Sequence, residues 1–287
     1  MNEPSQILRP GEIAQSFVPF PTFAYGSSYL ATEGSSYYHS GALTYTERLG
    51  HGLNVLANYT YSDTRTDARD LIFSGGEQPY RAPYISGFGI KKDYGWANFD
   101  VRQAVHFSGS YDLPAGKGKR FFDSGGILGK ALGDWSLHWI LTMQSGQPVT
   151  IPCTLTTSAG EGCYALVSGS TAGAHSVNQF WSSGAFANPA AATSTGQIDL
   201  SPLGGAPAQA VGPGIRRLDL SIHKALKVSE TAHVEFRVEA YNVTNHPNFA
   251  QPSVLNFSDP ANFGQIGRTR DNPYDPRQIQ IAVRIYF

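Results

Sequence analysis

The strongest constraint in this sequence is an alternation of apolar and polar residues with a period of two. It is clearest at the C-terminus, where Ile279, Ile281, Val283 and Ile285 occupy every second position. Successive side chains of a β-strand point to opposite faces. The pattern therefore predicts a C-terminal strand with one apolar face and one polar face.

The same alternation recurs upstream and predicts about eight strands of about ten residues each. The apolar positions of the clearest segments are Leu53, Val55, Ala57, Tyr59 and Tyr61; Val101, Val105, Phe107, Tyr111 and Leu113; Trp135, Leu137, Trp139, Leu141 and Met143; Leu218, Leu220, Ile222 and Leu226; and Val234, Phe236, Val238 and Ala240. Weaker alternation predicts two further strands, over residues 36–48 and 22–31.

The connections between these strands alternate in length. Residues 50–52 and 229–231 have the length of tight hairpin turns, and residues 114–133 form a connection of intermediate length. The other connections are long, at about 63–99, 152–214 and 245–275. Compact soluble domains seldom contain several loops of this length.

Composition excludes two classes of protein. Hydrophobic residues make up 41% of the 287 residues, but no apolar run approaches the roughly 18 residues that a transmembrane helix requires. The formal net charge of −1 leaves no basic excess to neutralise phosphates, so we expect no nucleic-acid partner.

A lipid bilayer explains the remaining pattern. Backbone amides in hydrocarbon must be paired within the protein, and without helices only a closed barrel achieves this. Strands with an apolar outward face, short turns at one end and long loops at the other predict an all-β fold, an antiparallel transmembrane β-barrel in contact with outer-membrane lipid. A soluble, secreted, carbohydrate-binding β-protein is the alternative, since its strands also alternate.

Seven short motifs lie in the predicted strands and the connections between them, at 99–102 (FDVR), 107–114 (FSGSYDLP), 135–137 (WSL), 144–150 (QSGQPVT), 241–249 (YNVTNHPNF), 263–266 (FGQI) and 276–280 (PRQIQ). Together they resemble TonB-dependent outer-membrane receptors of the Oar-like type, the carboxypeptidase-regulatory-like domain-containing receptors of Gram-negative bacteria. The resemblance extends over residues 20–287.

This resemblance implies uptake of a scarce nutrient across the cell outer membrane, energised through TonB. Such receptors have plugged barrels of about 22 strands, so we expect this chain to be a fragment, the C-terminal part of such a barrel, that reaches TonB only through a plug domain it lacks. The expected division is a lead-in at 1–21 and a barrel segment at 22–287. Phe287, Ile285, Val283 and Ile281 resemble the signal that the outer-membrane assembly machinery reads. A small structural or adhesive barrel is the alternative.

No catalytic motif is recognisable. The stretch at 125–130 lacks the spacing of a phosphate-binding loop, and neither a G-x-S-x-G nor an H-E-x-x-H sequence occurs. We expect no enzymatic activity, no catalytic or metal-binding residue and no cofactor.

The polar faces of the strands contain the candidate lumen-facing residues. These are Arg217, Asp219, Glu235, Arg237, Glu239, Arg284, His138 and His106. Two interpretations of the charged residues stay open, a cross-strand ladder of ion pairs and a path for substrate. His106, His138, His223 and His233 either fill a wet lumen or converge on a ligand.

The loop at 152–214 is the expected place of ligand contact, because loops on a rigid scaffold carry binding functions. Its aromatic residues Tyr164, Phe180, Trp181 and Phe186 are the candidate contacts for an unknown nutrient, with ordinary anchoring as the alternative. Cys153 and Cys163 are either a local disulfide or two inert thiols.

Overall fold

The computed structural model describes residues 14–23, 34–67, 90–123, 126–154, 163–189, 204–229, 232–271 and 275–287. Within them, seven long strands form one antiparallel sheet. Their bounds are β1 (Ser36–Leu49), β2 (Leu53–Thr66), β4 (Gln103–Asp112), β5 (Trp135–Gln144), β10 (Ile215–Lys227), β11 (His233–Tyr241) and β12 (Gln278–Tyr286).

The short elements lie in the connections. The short strands are β3 (Gly95–Trp96), β6 (Pro148–Val149), β7 (Leu166–Val167), β8 (Phe186–Ala187) and β9 (Ala210–Val211). The helices are α1 (Ile127–Leu132) and three 3-10 turns, Ala14–Phe17, Ile90–Asp93 and Ser183–Ala185. No helix among the described residues is long and apolar enough to span a membrane.

Each long strand pairs with the next long strand along the chain. The order across the sheet is β1-β2-β4-β5-β10-β11-β12, and β3 pairs with the end of β2. Every one of these pairings is antiparallel. The sheet is therefore an up-and-down meander whose two edges are β1 and β12 in the described part of the chain.

The two ends of this sheet differ, as the connection lengths predict. The turn end carries residues 50–52, 113–134 and 228–232, which join β1 to β2, β4 to β5, and β10 to β11. The loop end carries the long connections after β2, β5 and β11. β12 runs from the loop end to the turn end, so Phe287 lies at the turn end.

The register sorts the side chains of the long strands into two faces. The apolar face contains, for example, Leu141, Leu218 and Phe107, which are aligned across three neighbouring strands. The opposite face, here called the polar face, contains the residues in between. Of the apolar stripe of β12, Ile279, Ile281, Val283 and Ile285 are 66%, 66%, 61% and 65% exposed.

The buried hydrophobic core lies away from the apolar face. In the described ranges, the fully buried apolar side chains belong to connections, and none belongs to a long strand. A soluble sandwich would bury its apolar stripes against a second sheet. The exposed stripes instead fit a surface that faces lipid.

Two strand predictions need adjustment. The weaker strand predicted over 36–48 is present as β1 (Ser36–Leu49), whereas the strand predicted over 22–31 falls mostly outside the described residues. The loop predicted from about residue 63 begins at Asp67, because β2 continues to Thr66 and pairs with β1 and β3 there.

A glycine in the middle of β4 makes room for a tryptophan on the apolar face. Gly109 lies directly opposite Trp139 of β5. A Cβ atom at Gly109 would lie 2.4 Å from Cζ2 of Trp139 and 2.5 Å from the backbone oxygen of Asn54. The indole also packs on Phe107, with ring centroids 5.8 Å apart. The ring thus covers the glycine backbone.

We predict that Gly109→Ala lowers the free energy of unfolding in detergent micelles by about 1–3 kcal/mol, because the added methyl group displaces the indole of Trp139. Gly41→Ala on β1 is the matched control, since no atom lies within 4 Å of its added Cβ, and we expect a change within about 0.5 kcal/mol. Denaturant titration followed by tryptophan fluorescence measures both. Equal effects of the two variants would contradict the packing described above.

Candidate functional site

The long connections at the loop end fold into one structure, here called the loop cap. It comprises the described residues of the β5–β10 connection (145–214) and of the β11–β12 connection (242–277). Both connections contribute to a single hydrophobic core. Its members are Ile151, Ala165, Phe180, Trp181, Ala185, Phe186, Ala210, Phe257, Phe263 and Ile266.

Aromatic side chains hold the two connections of the loop cap together. Phe263 packs on Trp181 and Phe186, with ring centroids 6.0 and 5.3 Å away. The Trp181 indole N–H donates to the carbonyl of Val211 at 2.8 Å. Gly264 has φ +77°, and its carbonyl accepts from the amide of Phe180 at 3.2 Å. The long loops are therefore a packed unit with its own core.

A disulfide cross-links the loop cap beside this core. Cys153 and Cys163 are bonded, with Cα atoms 5.3 Å apart, and the amide of Cys153 donates to the carbonyl of Cys163 at 2.9 Å. Closing a loop of this size removes about 2–3 kcal/mol of conformational freedom from the unfolded chain. Such a bond requires an oxidising compartment.

The four aromatic residues expected to contact ligand are buried instead. Tyr164, Phe180, Trp181 and Phe186 are 7%, 9%, 1% and 6% exposed. Such burial disagrees with direct contact to a ligand and agrees with the alternative, that they anchor the loop. Their large apolar area is used to pack the loop cap, because a connection of this length needs a core of its own to be ordered. A ligand would meet the surface that these rings support.

An asparagine with left-handed backbone geometry fixes the turn that follows β11. Asn242 is 2% exposed and has φ +47°. Its side-chain N–H groups donate to the carbonyls of Asp275 and His246 at 2.8 and 2.9 Å, and its amide donates to Asp219 Oδ1 at 2.7 Å. The backbone amide and the side chain of this one residue together join β10, β11 and the segment that leads into β12.

Asn248 completes this junction a few residues later. Its Oδ1 accepts from the amide of Arg216 in β10 at 2.7 Å. Its own amide donates to Asp275 Oδ2 at 3.0 Å, and Asp275 is 3% exposed. The YNVTNHPNF motif at 241–249 therefore anchors the loop cap to the sheet.

A second junction connects β2 to β4. Asp100 is 2% exposed, and its Oδ1 accepts from the amide of Thr64 at 2.8 Å. The guanidinium of Arg102 lies 3.4 Å from Asp100 Oδ2 and 3.0 Å from Asp63 Oδ1. It also lies over the Trp96 ring, 4.6 Å from the centroid. The FDVR motif at 99–102 thus anchors the β2–β4 connection.

Sequence reasoning alone did not identify Asp100, Asn242, Asn248 or Asp275 as candidate site residues. The signal was present, because three of them lie in motifs that carry the family resemblance and Asn favours left-handed turns. Periodicity could not reveal them, since they lie just beyond the alternating segments.

All eight candidate lumen-facing residues lie on one face of the sheet. The register puts Arg217, Asp219, Glu235, Arg237, Glu239, Arg284, His138 and His106 on the polar face. When the apolar face contacts lipid, this polar face lines the interior of a barrel.

The charged groups of the polar face pair mainly along single strands. Arg237 Nε lies 2.8 Å from Glu235 Oε1, and Arg217 Nε lies 3.0 Å from Asp219 Oδ1. Across the β10–β11 pair, His223 Nδ1 lies 3.6 Å from Glu235 Oε1. For these two arginine pairs the predicted cross-strand ladder is wrong, because each pair forms along one strand. Side chains two residues apart lie on the same face of a strand, so they can pair whatever the register between strands.

Two of the four strand histidines come together. The rings of His138 and His223 are 4.2 Å apart, and their Nε2 atoms share hydrogen bonds with Ser136 and Ser221 at 3.0 and 2.6 Å. The other two lie elsewhere: His233 stacks on Tyr286 at 4.3 Å, and His106 is paired in register with Asn58 and Thr142. Among the described residues, no group of three or more His, Cys, Asp or Glu side chains could hold a metal ion.

A cavity of about 490 Å³ separates the loop cap from the end of the β2–β3 pair. Arg65 and Trp96 line it from the sheet side, and Leu166, Val167 and Pro207 line it from the loop cap. The recess combines apolar walls with an arginine, whose Nε lies 3.1 Å from Asp63 Oδ2. It is therefore the candidate contact site for a ligand.

We predict that Asn242→Ala destabilises the protein by about 3 kcal/mol, because the change removes several buried side-chain hydrogen bonds. The left-handed backbone adds to this loss, since alanine cannot form the local side-chain hydrogen bonds that let asparagine adopt it. Asn262→Ala is the control, since Asn262 is exposed and bonds Asp259 alone through its side chain in the described contacts. Limited proteolysis of the loop cap and denaturant titration measure the loss. A stability unchanged in Asn242→Ala would contradict the anchoring role.

The chain matches a protein-family model described as an outer membrane beta barrel domain, over residues 1–280. No curated protein and no solved structure matches it. The family match agrees with the exposed apolar face, the polar opposite face and the short-turn, long-loop arrangement. The chain belongs to the outer membrane beta barrel domain family, and it is located in the outer membrane.

Proposed function

We propose that this chain is the C-terminal barrel portion of a TonB-dependent, Oar-like outer-membrane receptor that imports a nutrient. The observation that carries the proposal is that the two edge strands of the sheet are not paired with each other. Seven long strands form a sheet in which β1 and β12 do not pair with each other among the described residues. Unpaired strand edges are not tolerated in hydrocarbon, so the sheet needs further strands. A barrel of about 22 strands supplies them.

The junctions at the loop end also support a receptor. Two of the motifs with a family resemblance, at 99–102 and 241–249, anchor long connections through Asp100 and Asn242. The loop cap is large, has its own core and is cross-linked by a disulfide. A small barrel with a purely structural role needs no such cap. In a receptor, such a cap presents a fixed surface to ligand, because ordering the loops beforehand lowers the entropy cost of binding.

In this proposal, each part of the structure has a separate role in uptake. The loop cap and the recess beside Arg65 contact the nutrient outside the cell. The polar face lines the passage with charged, histidine and hydroxyl groups, several of which are hydrogen-bonded to one another. Energy from TonB reaches the barrel through a plug domain outside this chain. Because Arg65 lines the recess, we expect the nutrient to carry a negatively charged or hydrogen-bond-accepting group to which Arg65 donates.

We predict that Arg65→Ala in the full-length protein lowers energy-dependent uptake about tenfold, because a hydrogen bond to a charged group is worth about 1.5–3 kcal/mol. Arg48→Ala at the turn end is the matched control and should leave uptake unchanged. A deletion strain grown on a panel of ferric siderophores, cobalamins and oligosaccharides first identifies the nutrient. Uptake is then measured with equal amounts of each variant in the membrane.

The proposal requires that loss of TonB and loss of this protein give the same, non-additive growth defect on that nutrient. Uptake that continues without TonB would contradict it. A chain that closes alone into a heat-modifiable monomer, with no growth defect on deletion, would instead support a small structural or adhesive barrel. The soluble carbohydrate-binding alternative is not retained, since the family is an outer-membrane one.

A further inference from the structure

The connection between β4 and β5 is unusual for its position. Outer-membrane barrels have short turns at the periplasmic end, and the other turn-end connections here are residues 50–52 and 228–232. The β4–β5 connection instead occupies residues 113–134 and contains α1. A long connection at this end calls for a physical reason.

The described part of this connection is folded. Its two ends are joined where the amide of Asp134 donates to the carbonyl of Ala115 at 3.1 Å. A Cβ atom at Gly133 would lie 2.6 Å from Cα of Gly116, so the two glycines allow the ends to touch. The amide of Gly116 donates to the carbonyl of Phe121 at 2.8 Å. The connection therefore holds its side chains in fixed places.

The connection lies on the lipid side of the sheet. The Trp135 indole N–H donates to the carbonyl of Ala131 in α1 at 3.1 Å, and the Lys224 ammonium donates to the carbonyl of Gly133 at 2.5 Å. Trp135 and Lys224 are paired across β5 and β10 on the apolar face. The short helix is thus attached to the face that contacts lipid, near the turn end of the sheet.

The surface of the connection combines apolar and cationic side chains. Phe121, Phe122, Ile127 and Leu132 are 52%, 52%, 87% and 44% exposed. Lys117, Arg120 and Lys130 are exposed among them. With Lys119, the connection holds four cations against Asp123 and Asp134, whereas the whole chain has a net charge of −1.

We propose that the β4–β5 connection binds the headgroups of anionic phospholipid in the leaflet at the turn end. Its apolar side chains enter the interface between headgroups and acyl chains, and Lys117, Arg120 and Lys130 contact the phosphates. Apolar and basic residues presented together are the signature of an interfacial anchor. A zwitterionic headgroup carries its own cation beside its phosphate, so it compensates the basic excess less well than an anionic headgroup. The inference depends on the outer-membrane location and is independent of nutrient uptake.

The test measures which lipid surrounds the connection. The full-length protein with Ile127→Trp as a reporter is reconstituted in vesicles of phosphatidylethanolamine and phosphatidylglycerol, with either lipid brominated to quench fluorescence. We expect the added fluorescence to be quenched by brominated phosphatidylglycerol beyond its bulk share, with a preference of at least about fivefold over phosphatidylethanolamine, since each nearby cation favours an anionic lipid by about that factor.

Two further variants separate charge from mere proximity. In Lys117→Gln/Arg120→Gln/Lys130→Gln the preference should disappear while quenching by total lipid remains. In Lys91→Gln/Lys92→Gln, whose exposed lysines lie at the loop end, it should be unchanged. Equal quenching by the two lipids in the unmodified background would overturn the proposal, and so would the absence of quenching by either lipid.

Discussion

The need to pair every backbone amide and carbonyl inside hydrocarbon governs this structure. Water cannot satisfy those groups in the membrane, so the strands must satisfy each other. The up-and-down order from β1 to β12 does this with neighbours in sequence. Strict alternation of side chains follows, because each pleat offers one position to lipid and the next to the opposite face. The usual location of a hydrophobic core is thereby inverted.

That inversion explains where this chain places its buried residues. Ile279, Ile281 and Leu43 remain exposed on strands, while Trp181 and Phe263 pack inside the loop cap. The cap is outside the sheet and must exclude water by its own means, which are aromatic packing and a disulfide. Between the two zones lie polar junctions built on Asp100 and Asn242. They form hydrogen bonds with backbone groups that lose their strand partners where the sheet ends, and so hold the loops in a fixed position on the sheet.

The alternation predicted the long strands because it is a local consequence of two environments. β5 and β11 (residues 135–144 and 233–241) lie within the segments expected from sequence. Burial in the loops was not predictable in this way, since Trp181 and Phe186 become neighbours of Phe263 only through packing between distant segments. The sequence puts Arg237 and Glu235 on one face but does not decide whether Arg237 pairs with Glu235 two residues away or with a charge on a neighbouring strand. In the structure the pair forms along β11.

We conclude that the apolar face contacts lipid, whereas the polar face does not. A nitroxide label at Leu220→Cys, Ser221→Cys or Ile222→Cys, in the full-length protein in phospholipid vesicles, tests this orientation on a central strand. Collision rates with oxygen, which concentrates in lipid, and with a water-soluble nickel complex measure the surroundings of each label. We expect high oxygen accessibility at 220 and 222 and low accessibility at 221. Labels at 220 and 222 that are shielded from oxygen, in a dry protein interior, would contradict it.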